Sequence, residues 1–98
     1  MTDREARILE ELLGECERDT ARIIGKPAAN RLAKWRQYRG DKQSLVRFVQ
    51  RVLCGQSRVN GWRLDQRGGL SLERVVLDRL PDLFTEEDKG QARQTLGL

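Results

Sequence analysis

The chain has 98 residues, of which 35% are charged and 38% hydrophobic, with a formal net charge of +4, two cysteines and no histidine. That length suits a single domain over residues 1–98, and no apolar run approaches the roughly 20 residues a membrane span needs. Lacking histidine, the chain has neither the usual general base near neutral pH nor the commonest metal ligand, and Cys16 and Cys54 are too few for a zinc site.

The elements follow in order. Thr2-Asp3-Arg4-Glu5 fits a capping box, and Ile8, Leu9, Leu12, Leu13, Cys16, Thr20, Ile23 and Ile24 recur at helical spacing behind it. Gly25-Lys26-Pro27 stops that first helix and opens a second over about Pro27–Arg39, with Ala28, Leu32 and Trp35 as its buried stripe. Gly40 ends the second helix. Asp41 caps a third, whose apolar face is Leu45, Phe48, Val49, Val52 and Leu53 and whose stop is Gly55. Residues 56–70 read differently. Asn60-Gly61 between Val59 and Trp62 is the preferred centre of a two-residue hairpin, and a short hairpin and an irregular loop are equal alternatives there. Ser71 caps a fourth helix carrying Leu72, Val75, Val76 and Leu80, which Pro81 ends. Thr85 and the acids Glu86, Glu87 and Asp88 start a fifth, with Ala92 and Leu96 turned inward beside Leu83 and Phe84 and with Gly97 past its end. The predicted fold is mainly α: a compact bundle of about five helices, with a short winged-helix-like β-hairpin after the third as the optional addition. Phased apolar residues argue against the disorder that such a charged composition otherwise suggests.

Charge is distributed unevenly. Residues 25–67 hold eleven Lys/Arg and two acids, Asp41 and Asp65. Residues 1–24 hold four basic and seven acidic residues, and residues 68–98 four and six. A cationic middle between mildly acidic ends attracts polyanions, of which nucleic acid is the commonest in a cell. Helical phasing puts Arg31, Lys34 and Tyr38 on one flank of the second helix, and Gln43, Arg47, Gln50, Arg51 and Cys54 on the outer face of the third. Arg58, Arg63 and Arg67 follow in the loop or hairpin, with Trp62 as an aromatic for stacking or for a protein interface. Lys and Arg neutralise phosphates, and Gln43 and Gln50 have the chemistry of base readers. A helix-turn-helix register with Gly40 in the turn fits only in part. Val46 and Val49 fall inward, but Arg36 stands where a small residue belongs and Asp41 where an apolar one does.

Other signals have structural readings. Glu86 and Glu87 belong to a helix start, Cys16 lies on an apolar stripe, Cys54 lacks a clear activating neighbour, and Arg39-Gly40-Asp41 is a helix stop followed by a cap. No phosphate-loop pattern occurs. The expectation is a non-enzymatic nucleic-acid-binding protein, for DNA or RNA, without metal or cofactor. The alternative is a protein-interaction module whose basic face docks on an acidic protein. The polar Met1–Glu10 segment and the sparse cysteines point to the cytoplasm and away from the membrane.

Overall fold

The first helix, α1, spans Arg4–Ile23 in a computed structural model that describes residues 4–55 and 58–98, with only the backbone at 58 and 59. Ala6, Leu9, Leu13, Cys16 and Thr20 form its buried side. Their spacing of three and four keeps them on one side of a helix. Ile8, assigned to that stripe from spacing, is 36% exposed. It lies one step of about 100° from Leu9 and faces solvent. The expected Thr2 cap lies outside the described residues.

Gly25 ends α1 with φ 142°, a backbone setting that side chains rarely tolerate. The amides of Ile24 and Gly25 both donate to Thr20 O at 2.8 Å. The chain then enters α2 (Lys26–Leu32), with Pro27 in its first turn, and tightens into a 3₁₀ segment over Ala33–Tyr38. Trp35 is buried there. Its Nε1 donates to Glu17 Oε1 at 3.0 Å, and Arg36 Nη1 pairs with the same oxygen at 2.6 Å. At the next turn the Gly40 amide donates to Glu10 Oε2 at 2.7 Å. Acids of α1 thus hold the end of the second helical stretch in place.

α3 (Lys42–Gly55) begins as its sequence predicts. Asp41 accepts from the Ser44 amide at 3.3 Å and from the Ser44 hydroxyl at 2.9 Å. Leu45, Phe48, Val49 and Leu53 are buried, and Val52 is half-buried.

The hairpin is not formed. Residues Arg58–Gln66 are a helix, α4, and no strand occurs among the described residues. Asn60, Gly61 and Leu64 lie on its inner side, and Leu64 is 5% exposed. A Cβ on Gly61 would fall 2.7 Å from Glu73 Oε1 and 2.9 Å from Oε2. The glycine that spells a turn locally therefore serves close packing: it lets the α4 backbone rest against a buried carboxylate. The opposite end of α4 is fastened by a fork. Arg74 Nε and Nη2 donate to Asp65 Oδ1 at 2.8 Å and Oδ2 at 3.3 Å, and Arg74 Nη1 reaches Asp78 Oδ2 at 3.2 Å.

Ser71 caps α5 (Leu72–Arg74), its oxygen accepting the Arg74 amide at 3.2 Å. The helix widens into a π-type stretch over Val75–Arg79, closed by the Leu80 amide on Val75 O at 3.0 Å. Pro81–Leu83 is a 3₁₀ turn. Thr85 and Asp88 then form a reciprocal capping box at the start of α6 (Glu86–Leu96). Leu9, Leu13, Trp35, Phe48, Val76 and Phe84 belong to one apolar cluster that α1, α3, α5 and α6 share. Cys16 lies within it, and burial together with nearby carboxylates pushes its thiol well above the usual range. No helix among the described residues is long and apolar enough to cross a membrane.

Candidate nucleic-acid interface

The two acids of the basic segment are both committed to structure. Asp41 caps α3, and Asp65 holds Arg74. The Ser44 hydroxyl and amide hold the Asp41 carboxyl below its ordinary range, and Arg47 adds a smaller pull. Among the described side chains, two cations of the segment are also committed. Arg36 pairs with Glu17, and Lys42 Nζ lies 3.1 Å from Glu5 Oε1. On this flank, turned toward α1, the acidic amino-terminal helix offsets Arg36 and Lys42, while Arg39 is exposed with its guanidinium carbon 5.4 Å from the Trp35 ring centroid.

The opposite flank keeps its charge. Lys34, Arg47 and Arg51 are exposed, and no ion pair joins them to an acid among the described residues. Tyr38 links them. Its ring packs tilted on Phe48 with centroids 5.9 Å apart. Its hydroxyl accepts from Arg51 Nη2 at 2.9 Å, and the Arg51 guanidinium carbon lies 5.6 Å from the ring centroid. Two adjacent shallow depressions share Tyr38 and Arg51. One extends to Ser44, Arg47, Gln50 and Cys54, and the other to Lys34, Gln37 and Val52. The 3₁₀ segment and α3 thereby bring together Lys34, Tyr38, Arg47, Gln50 and Arg51, which were expected on one surface. Gln37 joins them, and its spacing of three from Lys34 was the available signal.

Other expected contacts go elsewhere. Gln50 Nε2 donates to Asp88 Oδ2 at 2.8 Å and so ties α3 to the cap of α6, a structural use of that amide. Gln43 is exposed near the start of α3 and lines neither depression. Arg31 stands at the rim of an inner cavity beside Thr20 and Glu73. Trp62 is 47% exposed on α4, and Arg63 and Arg67 are exposed there too; none of the three lines either depression. Arg58 opens α4 and is described by its backbone alone. Tyr38, expected outside, is half-buried because Phe48 and Arg51 cover it. Cys54 is an exposed free thiol.

Chemically, the face offers fixed positive charge and hydrogen-bond donors. No group of three or more Cys, Asp or Glu residues positioned to hold a metal occurs among the described residues. Comparison of the chain with protein-family models, with curated proteins and with solved structures finds no match.

Proposed function

We propose that this protein is a non-enzymatic nucleic-acid binder that grips the phosphate backbone with Lys34, Arg47 and Arg51 around the fixed ring of Tyr38. The observation that carries the reading is the sorting of charge. Acids of α1 neutralise Arg36 and Lys42, while the flank formed by the 3₁₀ segment and α3 keeps its cations unpaired among the described residues. Cations held on helical elements and spread over a shallow face suit a polyanion better than a small anion. Tyr38 is packed on one side and covered by Arg51, so it serves as a post for the guanidinium and leaves stacking on bases a minor part.

Three neutralised phosphates correspond to a log–log salt slope of about −3 on duplex DNA. Fluorescence anisotropy with labelled duplex and single strands, titrated between about 50 and 300 mM salt, reads that slope directly. Arg47→Glu with Arg51→Glu should lower affinity at least about tenfold, since it removes two favourable phosphate contacts and adds two repulsive charges. Affinity that ignores salt, or that survives the double reversal, overturns the reading.

A second reading rests on Trp62. A large aromatic 47% exposed on α4 is the kind of anchor protein interfaces favour, and an acidic protein would suit the same cations. Trp62→Ala separates the two: it weakens capture of an acidic protein partner and leaves phosphate binding unchanged.

A further inference from the structure

A partly enclosed cavity of about 240 Å³ lies between α1, α2, α3, α4 and the start of α5. Ile24, Leu32, Val52 and Leu64 give it apolar walls, and Thr20, Ser71 and Glu73 give it polar groups. It shares Val52 with one depression of the basic face and Gly55 with the other.

Thr20 and Ser71 have hydrogen-bonding capacity to spare among the described residues. Thr20 is 5% exposed, and its Oγ1 has no hydrogen-bond partner among the described residues. A threonine inside a helix commonly returns its hydroxyl to the carbonyl one turn back. Thr20 does not, although a buried hydroxyl left without a bond costs stability. Ser71 is fully buried; its oxygen accepts the Arg74 amide, and its proton remains available to donate. Glu73 is fully buried beside Gly61.

We propose that this cavity binds a small, mainly apolar organic molecule bearing one N–H or O–H donor, of the size of a fused two-ring heteroaromatic. The size follows from volume: a dry cavity of about 150 Å³ takes benzene, so one larger by about half suits two fused rings. The donor satisfies the Thr20 oxygen, and the rings pack against the apolar walls.

Indole and indene are suitable probes, since they share a shape and only indole carries an N–H. Both are titrated into the intact protein and followed by amide chemical shifts in NMR. Indole should shift the amides of Thr20, Gly61, Ser71 and Glu73, and indene should bind about fivefold more weakly, the worth of one neutral hydrogen bond. Thr20→Val keeps the side-chain shape, and it should weaken indole and leave indene unchanged. Ala28→Phe, which fills the cavity from the α2 side, should abolish both. No shift at those amides up to the solubility of indole overturns the proposal, as does equal affinity for the two probes or indole binding that survives Ala28→Phe. Because the readout contains no nucleic acid, failure here leaves the proposed function of the outer face untouched.

Discussion

Two helical glycines make the argument at the scale of single residues. Gly61 and Gly90 both sit inside helices, where alanine is normally better by about 1 kcal/mol. A Cβ at Gly90 meets nothing within 4 Å, whereas one at Gly61 falls under 3.0 Å from three atoms of the Glu73 carboxyl group. Gly90→Ala should therefore stabilise the protein by about 0.5–1 kcal/mol, and Gly61→Ala should destabilise it by about 1–3 kcal/mol as overpacking outweighs propensity. Denaturant melts of the two variants against the parent check the opposite signs. Asp41 gives a pH-dependent test. Its folded pKa is depressed, so the stability it contributes is present above its ordinary value of 3.8 and is lost as pH falls through the lower folded value. The difference in melting temperature between the parent and Asp41→Ala should thus be constant near neutrality and shrink in strong acid. A difference that grows on acidification would contradict the cap.

At the scale of elements, α4 is the informative case. Among its described side chains Leu64 is the buried apolar one, and the Asn60-Gly61 pair favours a turn locally. Contacts distant in sequence decide the matter: the Arg74–Asp65 fork at one end and the Glu73–Gly61 contact in the middle. Asp65→Asn, which loses the charge-assisted pair, should cost about 1–2 kcal/mol and raise amide exchange in α4 more than in α1. Uniform exchange across both helices would show that the fork does not hold α4. The same case explains what could be read without a structure. The Gly25, Gly40 and Pro81 breaks, the Asp41, Ser71 and Thr85 caps and, Ile8 aside, the stripes of α1, α3 and α6 are local signals, and they appear where the residues predict them. The tightening of α2 into a 3₁₀ stretch, the π-type end of α5 and the helicity of α4 depend on partners far along the chain, which no local pattern encodes. The candidate face divides in the same way. Phasing placed Lys34, Arg47 and Arg51 outward, but the pairing of Arg36 with Glu17 and of Gln50 with Asp88 needed the packing of α1 and α6.

At the scale of the molecule, the acidic ends do more than offset the basic middle. The acids of α1 cover one flank of the central helices, and Asp88 at the α6 cap holds Gln50. What remains includes a positive face on α3 and the 3₁₀ segment, backed by a core that includes Phe48 and Trp35, while Arg39, Arg63 and Arg67 are exposed elsewhere. The most direct test compares the salt dependence of duplex binding for the parent protein, for the triple variant Lys34→Gln, Arg47→Gln and Arg51→Gln, and for a control with Arg63→Gln and Arg67→Gln. The triple variant should flatten the log–log slope by nearly its full value of about −3, at about 0.9 per lost phosphate contact, while the control changes it by less than about 1. A control that flattens the slope more than the triple variant would contradict the assignment and move the interface to α4.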